Sequence, residues 1–132
     1  MFKKLVLAFG ILATVSAFEA NAASKSYSHP TITMKSGDRA GLQNVFAWDA
    51  KCKTVPVTVK AFKPKFGNVY LYKSSFKIPS SQSKSCAGRT VRGYKVVFKA
   101  DKKVKGSTLV KYQVQSKNVD GTFKFRRTLK IK

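Results

Sequence analysis

Thr108-Leu109-Val110-Lys111-Tyr112-Gln113-Val114-Gln115 and Thr122-Phe123-Lys124-Phe125-Arg126-Arg127-Thr128-Leu129-Lys130-Ile131 decide the fold class of this 132-residue chain. In the first, Val110, Tyr112 and Val114 alternate with Lys111, Gln113 and Gln115. In the second, Phe123, Phe125, Leu129 and Ile131 fall on one side; Lys124, Arg126, Thr128 and Lys130 fall on the other. A period of two is the mark of a strand with one buried face. Between them, Asn118-Val119-Asp120-Gly121 carries the Asp-Gly pair of a hairpin turn. One residue breaks the rule: alternation places Arg127 on the Phe125–Leu129 side. A bulge, or burial against Asp49 or Asp101, would account for it.

The same period recurs upstream. Val55, Val57, Val59 and Ala61 alternate with Pro56, Thr58 and Lys60. Pro56 cannot donate to a ladder, which implies an edge or a bulge. Lys63 to Asn68 is a turn, and Val69 to Phe76 is the return strand. Tyr94, Val96 and Phe98 share a face opposite Lys95 and Lys99. Val45-Phe46-Ala47-Trp48 is apolar on both faces, and Trp48 is expected in the core. Thr31 to Lys35 is a short edge strand after a loosely ordered arm that holds His29-Pro30. No window sustains a helical period. Six or seven short strands with turn signals between them predict an antiparallel β-sandwich, with a small OB-like barrel as the alternative.

Residues 1–22 read as a secretory signal peptide, formed in the precursor as a helix. Lys3 and Lys4 precede the apolar run Leu5–Phe18, and Ala20-Asn21-Ala22 is a small-x-small cleavage site. The run is shorter than the ~20 residues a membrane-spanning helix needs. Residues 23–41 are then an N-terminal arm and edge strand, and residues 42–132 the sandwich domain. Export carries the chain to an oxidising periplasm or exterior. There Cys52 and Cys86 are either two buried thiols or, as the compartment favours, one disulfide. Such a bridge stabilises by about 4 kcal/mol on the chain-entropy account.

Charge is the dominant compositional fact. The chain holds 27 Lys and Arg against 5 Asp and Glu, a net +22. Loss of Lys3, Lys4 and Glu19 with the leader lowers this only to +21. Small domains ordinarily carry a net charge of magnitude about 2–8. An excess of this size repels itself and attracts polyanions. Lys outnumbers Arg 22 to 5, which favours diffuse attraction over bidentate phosphate reading.

Val97-Phe98-Lys99-Ala100-Asp101-Lys102-Lys103-Val104-Lys105-Gly106-Ser107, followed by Val110-Lys111-Tyr112-Gln113-Val114 and Asp120-Gly121-Thr122, resembles the C-terminal half of bacterial Ig-like and cadherin-like surface repeats. Pro64-Lys65-Phe66-Gly67-Asn68-Val69 is similar to a turn of the same repeats. Cys86-Ala87-Gly88-Arg89 resembles a segment of short exported single-domain α-proteobacterial proteins. The likeness covers residues 55–131 and implies an Ig-like sandwich that binds or scaffolds. Calcium does not carry over. Asp101 and Asp120 fall short of the six or more oxygen ligands it takes.

Catalysis finds little support. His29 is the only histidine, and the mature chain holds four Asp and no Glu. No triad, paired-carboxylate, metal or phosphate-loop pattern emerges. No cofactor is expected. The candidate anion-binding residues are Lys60, Lys73, Lys95, Lys99, Lys124, Arg126, Lys130 and Lys132, set on outward strand faces. Tyr70 and Tyr72 are candidate aromatic contacts beside Lys73. The expected partners are an acidic protein, an anionic glycan or lipopolysaccharide. Nucleic acid met outside the producing cytoplasm is the alternative partner. An effector of a host-associated bacterium and an envelope structural subunit are further roles in keeping with this format.

Overall fold

The computed structural model describes residues 6–10, 17–19, 25–116 and 121–132. Among the described residues, ten strands run in chain order: β1 (Val6–Gly10), β2 (Ala17–Glu19), β3 (Lys25–Met34), β4 (Arg39–Trp48), β5 (Thr54–Val55), β6 (Val57–Ala61), β7 (Gly67–Lys77), β8 (Thr90–Ala100), β9 (Gly106–Ser116) and β10 (Phe123–Ile131). They form two sheets. The first has the order β2-β1-β4-β8-β7, with β5 on β4; the second has the order β3-β10-β9-β6. The described residues form an all-β, two-sheet sandwich and not a closed barrel.

The chain changes sheets at Pro56. β5 pairs β4 in the first sheet, while β6 pairs β9 in the second. A residue without an N–H suits a point where one ladder ends and another begins. The hairpin of β9 and β10 keeps one register from Phe123↔Val114 to Ile131↔Gly106. Its turn residues Asn118–Asp120 lie outside the described residues.

Three expectations are corrected. First, Val6–Gly10 is a strand and not part of a signal-peptide helix; it pairs antiparallel with β4 from Val6↔Trp48 to Gly10↔Asn44. The β4 side away from β8 would otherwise be a bare edge, and β1 satisfies its backbone groups. The cleavage site Ala20–Ala22 lies outside the described residues. Second, one strand pair is parallel: β3 runs alongside β10. A parallel pair needs a long connection, and here the rest of the domain supplies it. Third, the edge strand starts at Lys25, so His29 lies within it. The β3 register shifts by one residue after His29, and Pro30 falls at that irregularity, where a missing donor costs least.

Cross-strand partners share a face, so the registers fix what each face holds. Val69↔Phe98 and Leu71↔Val96 point inward, as does Val45, the partner of Tyr94. Val45, Val69, Val96 and Phe98 join Phe123, Phe125, Leu129, Val110, Tyr112 and Val114 from the second sheet in the main core, whereas Leu71 stays exposed at its margin. A smaller core lies on the outer face of the first sheet: Phe46, Trp48, Ile78, Cys86 and Val91, with Phe76 against it. Phe46 stacks on Phe76 at 5.0 Å and on Trp48 at 5.9 Å. Hence Val45–Trp48 is apolar at every position: odd residues feed one core and even residues the other.

The Cys52–Cys86 disulfide ties the loop after β7 over this second core. Asp49 prepares its near end. One carboxylate oxygen of Asp49 accepts the N–H groups of Lys51 and Lys53, at 2.9 and 3.0 Å, closing the turn that presents Cys52. Among the described residues, no helix is long and apolar enough to cross a membrane.

Candidate functional site

The outer face of the second sheet is set by the alternation that buries Phe123, Phe125 and Leu129. It carries Lys124, Arg126 and Lys130 of β10 outward, and all three are exposed. Register then places Lys111 beside Arg126, and Gln113 beside both Lys124 and Lys60. Lys132 follows Lys130 by two residues, with its backbone N–H donating to Met34 O at 2.9 Å. The cationic row thus spans β6, β9 and β10, with hydroxyl-bearing Ser26, Ser28 and Thr33 of β3 along its far side. Neighbouring strands stand about 4.8 Å apart, and alternate residues about 7 Å apart. Asp38, Asp49 and Asp101 stand in connections between strands, so the described residues place no carboxylate on this face.

Lys95 and Lys99 do not join it. Their strand, β8, belongs to the first sheet, whose outer face turns away from the second. There they stand with Tyr72 (partner of Lys95), Asn68 (partner of Lys99) and Arg39 (partner of Lys99 on β4). Tyr70 and Tyr72 are 40% and 41% exposed and stack at 6.3 Å. Arg39 reaches the Tyr72 hydroxyl at 3.5 Å. Lys73 does not lie beside the tyrosines. It pairs with Tyr94 and projects to the opposite, inward side. The eight candidate cations therefore divide among three surfaces. Period two assigns a residue to a face of its own strand, but does not say which strands share a sheet.

Sequence reading missed three cations. Lys111 completes the second-sheet face, Arg39 completes the aromatic face, and Arg92 lies with Lys73. Lys111 was recoverable, since it alternates with Val110 and Tyr112. Arg39 and Arg92 required the register.

Arg127 is inward and buried at 6% exposure, in an undisturbed β9–β10 register and without an acidic partner among the described residues. Neither a bulge in β10 nor Asp49 or Asp101 accounts for it. Its neighbours across the strands are His29 and Val110. Its Nε and Nη2 lack hydrogen-bond partners, as does Nε2 of Gln43. The Tyr112 hydroxyl donates to Gln43 Oε1. Burial pushes the Tyr112 phenol well above its usual range, with the Arg127 charge opposing. Burial first, and the Arg127 charge second, hold the His29 imidazole below its ordinary value. The His29 ring stacks on Phe125 at 5.5 Å. Among the described residues, no three His, Cys, Asp or Glu side chains gather where they could hold a metal ion.

No family model matches the chain. No curated protein matches it either. Among solved structures it is similar to the zebrafish RET cadherin-like domains 1 to 4, with 9% identity and a TM-score of 0.46. The similarity covers 97% of this chain and 33% of that one, so the chain spans about a third of that structure's length.

Proposed function

We propose that this protein is an exported, non-catalytic binding module that captures anionic partners on the outer face of the β3-β10-β9-β6 sheet. Acidic proteins, anionic glycans and lipopolysaccharide are the partner classes. One observation carries the reading: Lys60, Lys111, Lys124, Arg126 and Lys130 share a sheet face on which the described residues place no carboxylate. A solvated face kept free of aggregation needs charge, but it does not need one sign throughout. Regularly spaced lysines favour affinity that is electrostatic and tolerant of sequence.

The test separates this face from the overall charge. Lys124→Gln/Arg126→Gln/Lys130→Gln and Arg39→Gln/Lys95→Gln/Lys99→Gln remove the same charge from the outer faces of different sheets. Binding to a sulfated polysaccharide is measured by calorimetry at two ionic strengths. The first variant is expected to lose at least about tenfold more affinity than the second. Equal losses would reduce the reading to bulk attraction.

A second reading rests on the stacked Tyr70–Tyr72 pair beside Arg39, Lys95 and Lys99 on the other sheet. Exposed aromatics among cations are the platform single-stranded nucleic acid uses. Tyr70→Ala/Tyr72→Ala would then weaken oligonucleotide binding at physiological salt. Unchanged binding rejects this second reading.

A further inference from the structure

Strands of a sandwich place apolar residues inward, and the first sheet breaks that rule at one corner. Val69 and Leu71 of β7 face inward with their partners Phe98 and Val96. The next inward positions on these two strands are Lys73 with its partner Tyr94, and Ser75 with its partner Arg92. Two cations therefore stand beside the core on this side of the sheet, and Lys77, opposite Thr90, follows them at the strand end. The β5–β6 crossover explains the space they occupy. At Pro56 the chain leaves the first sheet for the second, and the corner beyond Val96 opens as a groove of about 420 Å³. Pro56, Val57 and Tyr94 give it apolar walls; Lys73, Arg92 and Ser75 give it polar ones. Leu71, the preceding inward residue on β7, is 37% exposed.

Protection of a sheet edge explains an inward lysine on β7, which is the edge strand. It does not explain Arg92, because β8 is an interior strand. Thr54 Oγ1 accepts the Arg92 backbone N–H at 3.1 Å, which fixes the main chain where the arginine departs. Among the described residues, no carboxylate lines the groove. Local departures from patterning collect at functional sites. A concavity of a few hundred Å³ with apolar walls and a few polar groups is the usual form of a small-ligand site.

We propose that this groove binds a small amphiphilic anion, with its phosphate, sulfate or carboxylate head between Lys73 and Arg92 and its apolar body against Pro56, Val57 and Tyr94. The site is discrete and stands apart from the lysine face of the second sheet. Its ligand is an individual molecule and not a polymer.

Octyl phosphate below its micelle concentration is the probe, measured by calorimetry on the full chain. Inorganic phosphate and octyl glucoside serve as the head alone and the chain alone. Octyl phosphate is expected to bind at least tenfold more tightly than either. Lys73→Gln and Arg92→Gln should each weaken it at least tenfold without a shift in melting temperature, since both side chains are exposed. Ser75→Phe keeps both cations but fills the groove, and should abolish binding. Lys124→Gln/Arg126→Gln should leave it unchanged. Equal affinity for inorganic phosphate or for octyl glucoside overturns the proposal. So does undiminished binding in Ser75→Phe, or an equal loss in Lys124→Gln/Arg126→Gln, which would return the anion to the second-sheet face.

Discussion

Replacing Arg127 by methionine is expected to stabilise this protein. The guanidinium is 6% exposed, it lies in a continuous β9–β10 ladder, and its Nε and Nη2 have no hydrogen-bond partners. A buried donor left unsatisfied costs about 1–3 kcal/mol, and a charged one more. Exchange of buried ionic groups for apolar side chains of like volume is often neutral or stabilising, by about 1–4 kcal/mol. The Tyr112–Gln43 hydrogen bond does not use Arg127 and survives the change. We therefore expect a gain of about 1–3 kcal/mol for Arg127→Met. That corresponds to a rise of at least about 4 °C in melting temperature for a domain of this size. Urea unfolding at neutral pH reads the difference directly, with an unchanged m-value confirming that the native state is the one affected. Arg127→Ala is the companion. It removes the same charge but leaves a void, and should be about 2 kcal/mol less stable than Arg127→Met. A loss of more than about 1 kcal/mol in Arg127→Met, at constant m, would refute the reasoning. The guanidinium would then be held by stabilising partners that outweigh its burial.

Three further outcomes follow from the same geometry. The His29 imidazole is held below its unfolded value, so the unfolded chain takes up a proton first as pH falls. Its contribution to stability is complete above about pH 6.5 and is lost on acidification, by at most about 1.4 kcal/mol per pH unit. Urea midpoints between pH 7.5 and pH 5 should show that slope in the parent and a flatter one in His29→Gln; parallel profiles would count against it. Gly93→Ala should cost about 1–3 kcal/mol, because the added Cβ would meet the Val45 carbonyl and approach Phe46 Cβ to 2.8 Å; a neutral result in thermal melts would show that β4 and β8 separate easily. Cys52→Ser/Cys86→Ser should lose about 2–5 kcal/mol. Trp48 fluorescence should report the damage locally, as it packs in the small core that this disulfide closes. An unaltered emission spectrum would mean that the core closes without the bridge.

The residues that were legible in sequence are those whose role is decided within one strand. Phe123, Phe125, Leu129 and Ile131 are core because their neighbours at odd spacing are polar, and Trp48 is core because it ends the apolar run Val45–Ala47. Tyr70 and Tyr72 are outward for the same reason. What escaped is decided between strands. Lys95 and Lys124 both alternate outward, yet one belongs to the first sheet and the other to the second, and no period in either segment carries that information. Arg127 and Lys73 show the limit from the other side. Alternation places Arg127 inward correctly, but the companions that define its surroundings are His29 and Tyr112, about 100 residues and 15 residues away along the chain. Lys73 is inward on a strand whose neighbours look like core, and only the departure of β5 and β6 at Pro56 makes that inward side a groove. A chain with so few acids cannot neutralise its lysines by pairing them, so the fold can only separate them. Two outer faces and one open corner are the places a two-sheet sandwich has for that, and each keeps cations where an anion can reach them. The aspartates that the structure describes stand in connections between strands instead. Asp49 closes the turn before Cys52, and Asp38 and Asp101 join the loops at one end through their main-chain groups. The imbalance in composition is thereby expressed as three separate electropositive surfaces, each open to test by a variant that leaves the other two intact.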